Sequence, residues 1–326
     1  MGIAGSTRRE CIATVLLTLL SGCGSAQPSE APSLVPKTVA NASPVAARSW
    51  IRRGSSSGDL LYASDNGGVI WVFSYPQGIL VGEVQLNETG YGSLCSDSEG
   101  DIFVPEDSPQ PEILEYAHGA TQPIATLSDP DAEPYGCAVD PTTGNLAVTS
   151  LEGPSGQTGS VAIYKGAGGN PETYSAPDFT YYTFCGYDDS GNLFIDGSRT
   201  NLIAELSFNS STFADIWLNR HAASGQVQWD GKYITLADIG RESIYRITVS
   251  GSEGKIVGHT SVKGATLRHP WQSWIEGGSV IRPQGKLGNQ IGFWKYPAGG
   301  KAYQVVKVPN KRADISSVTI SVGSSR

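Results

Sequence analysis

Carboxylates, guanidiniums and aromatic rings recur in this sequence at matching phases of short apolar runs. Asp65, Glu106, Asp107, Asp196, Asp238 and Arg282 follow such runs, with Asn66, Arg199, Arg241 and Gln284 slightly further on. Tyr91, Tyr135, Tyr182 and Trp271 precede others. Gathered at one place, aromatic faces interleaved with acids and guanidiniums stack on and hydrogen-bond a polar ligand, for which sugars and cationic groups are the chemical matches. The same residue types also have plainer uses. Aromatics at the starts of strands wedge between neighbouring sheets, and acids at strand ends cap loops and keep the surface soluble.

Other chemistries find less support. The histidines His118, His221, His259 and His269 fall at different phases, and none has a metal-ligand spacing such as His-Glu-x-x-His. Glu106, Asp196 and Asp238 with Asn66 offer oxygen ligands of the kind that Ca2+ or another divalent metal prefers. A metal in the site is therefore the alternative to a site without a cofactor. The net charge of −8 argues against a nucleic-acid partner, since phosphate binding depends on clustered Lys and Arg.

The elements that must position these residues come from a repeat. Its clearest copy is Pro134-Tyr135-Gly136-Cys137-Ala138-Val139-Asp140, a turn to Gly144, Asn145-Leu146-Ala147-Val148-Thr149, a Gly-rich excursion, Val161-Ala162-Ile163-Tyr164, and a last strand near Glu172. Similar units return at roughly 40 to 45 residues, the period of a four-stranded propeller blade. Second-strand members are 60–64, 102–104, 146–148, 193–195, 233–236 and 280–281, and third-strand members 70–73, 113–116, 161–164, 203–206, 244–247 and 291–294. Most show the apolar alternation and β-branched or aromatic content of strands. The first unit lacks an innermost strand, and the chain finishes with an unassigned strand at 315–320 that would supply it. The expected fold is all-β: a six-bladed β-propeller with four-stranded blades, closed by the C-terminal strand. That connectivity places the loops entering innermost strands and leaving second strands at one end of the channel, which is where the residues named above converge.

The unit 134–140 with Gly144-Asn145-Leu146-Ala147-Val148 resembles an NHL-type propeller repeat, and weaker copies extend from about Asp59 to Val322. The fifth and sixth copies lack the Asp-x-x-Gly turn, and the usual proline is missing from the second, fourth and fifth. The resemblance implies architecture rather than activity, because this scaffold hosts binding proteins, lactonases and lyases alike. The expected function is a ligand- or protein-binding module at the channel mouth. The alternative is a metal-dependent lactonase or hydrolase, or a streptogramin-lyase-like enzyme using a loop histidine, at the same mouth.

The N-terminal segment points to the envelope. Arg8 and Arg9 precede an apolar run, 12–20, too short to span a bilayer, and Leu20-Ser21-Gly22-Cys23 resembles the lipobox of bacterial lipoproteins. The resemblance implies a signal peptide over 1–22 and diacylglyceryl attachment at Cys23. Residues 23–57 are rich in Ser, Pro, Ala and Gly and read as a disordered tether, leaving 58–326 for the propeller. The expected location is the bacterial cell envelope, lipid-anchored and facing the periplasm or exterior, with a polar small molecule, a glycan or an envelope protein as partner.

Five cysteines are present. Cys11 falls in the signal and Cys23 is the lipid acceptor, so Cys95, Cys137 and Cys185 remain. Cys137 and Cys185 occupy matching positions, which leaves two readings open. One is a disulfide between them in an oxidising compartment. The other is buried thiols, since equivalent positions on neighbouring blades would lie beyond the bridging reach of about 7 Å.

Overall fold

Each apolar run becomes a strand flanked on both faces by other strands, so its two alternating side-chain sets are both buried. The computed structural model describes residues 49–86, 92–107, 110–131, 133–266 and 272–323, within the unit Thr38–Arg326. The expected signal peptide, Cys23, the tether up to residue 48, Tyr91 and Trp271 lie outside the described residues. Among the described residues no helix is long and apolar enough to cross a membrane.

The protein is all-β, a propeller-like arrangement of antiparallel sheets. The second unit orders Cys95–Ser96, Ile102–Glu106, Glu112–Tyr116 and Ala125–Ser128 as a four-stranded meander. The third does the same with Pro134–Val139, Leu146–Ser150, Val161–Tyr164 and Glu172–Tyr174, and the last with Trp274–Glu276, Ser279–Gln284, Gln290–Lys295 and Gln304–Lys307. In the first unit, the strands Leu60–Asp65, Val69–Ser74 and Leu80–Gln85 are flanked by Ile315–Ser321 on one edge and Trp50–Ile51 on the other. The C-terminal strand runs antiparallel to Leu60–Asp65 in the register Leu60↔Ser321 through Ser64↔Ser317.

Two features depart from expectation. Trp50–Ile51, inside the span read as tether, pairs with Gly82 and Glu83, so the first sheet begins earlier than residue 58. The fourth meander, Tyr182–Tyr187, Leu193–Gly197, Leu202–Leu206 and Ala214–Leu218, also shares one sheet with the fifth, Val227–Trp229, Ile234–Asp238, Ser243–Ser250 and Glu253–Lys263. The junction is a parallel pair, Trp217↔Glu253 and Leu218↔Gly254, made because the outermost strand of the fifth unit is long enough to reach its neighbour's edge.

Hydrophobic clusters fill the spaces between consecutive units. Leu60, Tyr62, Ile70 and Val72 of the first pack on Ile102, Val104 and Leu114 of the second, while the opposite faces, Leu61, Ala63 and Phe73, pack on Ile281 and Phe293 of the last. Phe103 and Ile113 meet Leu146 and Val148. Ala147 and Val161 meet Leu193 and Ile195. Phe194 and Ile203 meet Leu236, and Ala237 and Ile244 meet Val280 and Trp294. A fully buried side chain of this size contributes about 1.5–3 kcal/mol, so these interfaces are the main stabilising term.

Innermost strands approach closely. A Cβ at Gly136 would collide with the Thr183 carbonyl of the next unit, which is why glycine stands there. The same proximity lets Cys95 and Cys137 form a disulfide with Cα atoms 5.7 Å apart. This corrects the cysteine expectation: the bridge joins the second and third units, not Cys137 and Cys185, and Cys185 is a buried free thiol.

Candidate functional site

At the end where second strands finish, the structure places the expected acids, but most have protein partners. Asp65 ends its strand fully buried, accepting the Trp71 indole N–H at 2.8 Å and the backbone N–H of Gly67 at 2.8 Å. Burial raises its pKa above the usual carboxylate value. Asp196 is 1 % exposed and accepts from the Thr183 hydroxyl, from Phe184 N at 3.1 Å and from Gly225 N. Burial, partly offset by those donors, pushes its pKa up to about 7. Asp238, also 1 % exposed, accepts from Gly240 N at 2.8 Å, Ala223 N at 3.3 Å and Arg241 at 3.3 Å. Each carboxylate thus holds a loop of its own or the next unit.

The remaining candidates divide by exposure. Glu106 is buried at the wall of a cavity of about 20 Å³, shared with Asp65 and Pro105, which is room for roughly one water molecule. Asp107 beside it is exposed. Arg199 is exposed and pairs with Asp178 at 3.3 Å. Arg241, also exposed, donates to Tyr245 Oη at 3.0 Å as well as to Asp238.

The two described aromatics do not offer free faces. Tyr135 is 6 % exposed and packs edge-on against Phe184, with ring centroids 5.4 Å apart. Tyr182 is fully buried, stacked on Phe179, and its hydroxyl closes on the backbone N–H and carbonyl of Ala176. Both act as wedges between units, which corrects the expectation that they face the channel. Nor do the expected metal ligands converge. Among the described residues no three His, Cys, Asp or Glu side chains form a metal-holding group, and Asp196 and Asp238 are occupied by separate sets of donors.

A Gly-x-Ser-x-Gly spacing exists at Gly54-Ser55-Ser56-Ser57-Gly58. It forms a short 3-10 turn ahead of a strand, not the strand-to-helix elbow that exposes a nucleophile. The nearby His118 bonds Ser321 Oγ at 2.6 Å and the Gly58 carbonyl at 3.1 Å, so its ring ties the C-terminal strand to the segment that leads into Leu60–Asp65.

Arg282 behaves differently from every other candidate. It lies in Ser279–Gln284, has no exposed surface, and its Nε, Nη1 and Nη2 atoms have no hydrogen-bond partner among the described residues. Burial lowers its pKa to about 10, against the opposing charges of Asp238 and Glu242. Sequence position alone placed it at the mouth; only the fold reveals that its donors are unmet. Further buried atoms without a partner lie at the same end: Gln284 Oε1, Gln226 Oε1, Asn66 Oδ1 and Asp314 Oδ1. Gln226 and Asp314 stand just before innermost strands, a phase at which aromatics are the conspicuous residues of the sequence.

A second concavity, about 350 Å³, lies at the opposite end between the third and fourth units. Its polar groups answer one another: Lys165 pairs with Glu172 at 2.6 Å, Tyr174 donates to Glu172, and Asn145 accepts from Gly166 N. Phe208 is its exposed apolar element.

No protein-family model matches the chain, and no curated protein matches it in sequence. Solved structures match its fold. A chain of a nidogen/laminin complex superposes with a TM-score of 0.65 at 12 % identity, over 82 % of this chain and 99 % of that one. A protein of unknown function from Bacteroides caccae gives a TM-score of 0.61 at 14 % identity, over 81 % and 99 %. At such identities the likeness speaks to fold alone, and the fold is a β-propeller.

Proposed function

We propose that this chain is a six-bladed propeller of NHL type, held by a lipid on Cys23 in a bacterial envelope, whose channel mouth binds a polar ligand, a glycan or an envelope protein. Ring closure is supported by the pairing of Ile315–Ser321 with Leu60–Asp65 and by the core shared between the first and last units. The Gln228 side chain, bonded to both the N–H and the carbonyl of Ile275, supports it between the fifth and last.

The observation that carries the binding reading is the gathering of unmet polar atoms at one end, on Arg282, Gln284, Gln226, Asn66 and Asp314. Buried polar groups are normally paired, and these exceptions, at the ends of second strands and the starts of innermost strands of the first, fifth and last units, offer hydrogen-bonding capacity to a ligand. The cleft at the other end is a poorer candidate because its charged groups already pair with each other.

Probing the full chain with immobilised neutral and acidic oligosaccharides and with envelope peptides tests this reading. At least one probe should be retained, and retention should fall tenfold or more in Arg241→Ala or Arg199→Ala while surviving Lys165→Ala at the opposite cleft. Retention that Lys165→Ala abolishes and the mouth variants leave intact would contradict it. The anchoring part is tested by Cys23→Ser, which should move the protein from the membrane to the soluble fraction; a variant still membrane-bound would refute the lipid site.

A further inference from the structure

We propose that Arg282 holds a carboxylate group of the molecule bound at the mouth, a proposal that rests on the binding reading above. The guanidinium carries five N–H donors in a fixed planar fork. Here that fork is entirely out of water and no acceptor among the described residues meets Nε, Nη1 or Nη2. A charge buried in this way is strongly unfavourable unless something accepts its hydrogen bonds.

The surroundings keep the fork charged while leaving it open. Asp238 and Glu242 stabilise the cation through their charge, yet both are engaged elsewhere: Asp238 with Gly240, Ala223 and Arg241, and Glu242 Oε1 with the backbone N–H of Gly264. Across the strand pair Arg282 stands opposite Gly292, where no side chain competes for the fork. A Cβ at that glycine would strike Gln284 Oε1 and the Trp294 ring, so the absence of a side chain is enforced by packing.

The charge balance selects the ligand class. A fork of this geometry is matched in two parallel bonds by a carboxylate or by a phosphate. Asp238 and Glu242 repel any anion that approaches, and they repel a dianion about twice as strongly as a monoanion at the same distance. A carboxylate is therefore the better occupant, with neutral donors of the same molecule left to the amide oxygens of Gln284, Gln226 and Asn66.

The test measures the melting midpoint of the full chain as sodium acetate replaces sodium chloride at fixed ionic strength, with calorimetry as a direct readout. Acetate should raise the midpoint by a few degrees and saturate, as a ligand specific to the folded state does. The rise should vanish in Arg282→Met and need at least about tenfold more acetate in Arg282→Lys, which keeps the charge but loses the fork. Inorganic phosphate should act more weakly than acetate. No saturable acetate effect in the parent, an equal effect in Arg282→Met, or phosphate outperforming acetate would each overturn the proposal. Should Arg282→Met not fold, the Lys variant and the acetate heat of the parent decide alone, and an absent heat counts against it. Failure of acetate while oligosaccharides still bind through the mouth removes only this assignment. Failure of every oligosaccharide and peptide probe, with the acetate effect intact, removes the broader reading instead.

Discussion

The two ends of the propeller treat their polar residues differently. Where first strands turn into second strands, each aspartate closes on its own loop: Asp97 accepts from Glu99 N and Asp101 N at 2.9 and 2.8 Å, Asp188 from Ser190 N and Asn192 N at 2.9 Å, and Asp230 from Lys232 N and Tyr233 N at 2.9 and 2.7 Å. At the mouth such local bonds, those of Asp65 with Gly67 and Trp71 and of Asp238 with Gly240, stand beside remote ones. Asp196 reaches Gly225 in the next unit, and Asn66 donates to Asp314 across 248 residues of sequence. Arg282 finds no hydrogen-bond acceptor among the described residues. The turn end is thus built mainly from local rules that each repeat can satisfy by itself, with cross-links between units where Tyr296 donates to Asp230 and where Ser321 meets His118 and Gly100. The mouth exists only once the units have assembled, and among the described residues it keeps polar atoms that no protein group meets.

The harshest way to break this contrast is to remove the strand that touches both ends. Ile315–Ser321 is buried throughout; Ile315 N bonds Gly288 O near the mouth at 2.9 Å, and the Ser321 hydroxyl bonds the Gly100 carbonyl at the turn end. Truncation before Ile315 should abolish the cooperative melting transition seen by circular dichroism, since it strips one edge of the first sheet and exposes two hydrophobic interfaces. A transition like that of the parent would mean that the ends assemble without it.

Next in size is the pH response of the mouth. Burial raises Asp196 from 3.8 to about 7, so the folded chain holds this proton more tightly than the unfolded chain. Its contribution is therefore fully present below about pH 4 and is lost as the pH rises towards 7, at most about 4 kcal/mol at 1.36 kcal/mol per unit. Asp129, raised to about 6 by burial, acts with the same sign. Urea midpoints of the parent should fall between pH 4 and 7, and Asp196→Asn should reduce that slope. Equal slopes in the two proteins would assign the pH dependence to other groups.

The sequence disclosed the turn end more readily than the mouth, for a physical reason. Asp188-Asp189-Ser190-Gly191 contains both the acceptor and the positive-φ glycine that its turn needs, so the pattern is complete within four letters. Strand phases were equally legible, because alternation of apolar residues is also local. The Cys95–Cys137 bridge was not, since Cys95 stands two residues before its aspartate and Cys137 three, a mismatch that the convergence of innermost strands absorbs. Tyr182 looked like a mouth aromatic because nothing in its own strand reveals that Ala176, in the preceding loop, receives its hydroxyl. Arg282 could be placed at the mouth from the repeat, but its lack of an acceptor among the described residues depends on the positions of Asp238, Glu242 and Gly292 elsewhere in the chain.

At the turn end a smaller effect is expected. Asp188→Ala leaves Ser190 N and Asn192 N without their shared acceptor and should cost about 1–3 kcal/mol in urea unfolding, the usual penalty for stranding partly buried donors. A loss well under 1 kcal/mol would show that water replaces the carboxylate without penalty, and the turn end would no longer differ from an ordinary loop.

The measurement that bears most directly on the division of labour is the urea midpoint of Arg282→Met, taken in buffer without carboxylates or phosphate beside Asp188→Ala. If the mouth keeps its guanidinium for a ligand, replacing it with an apolar chain of similar length removes a buried, unanswered charge, and the midpoint should equal or exceed that of the parent. A loss of about 3 kcal/mol or more, the penalty of breaking a buried ion pair, would mean that the fold itself holds Arg282 and that the mouth is as self-contained as the turns.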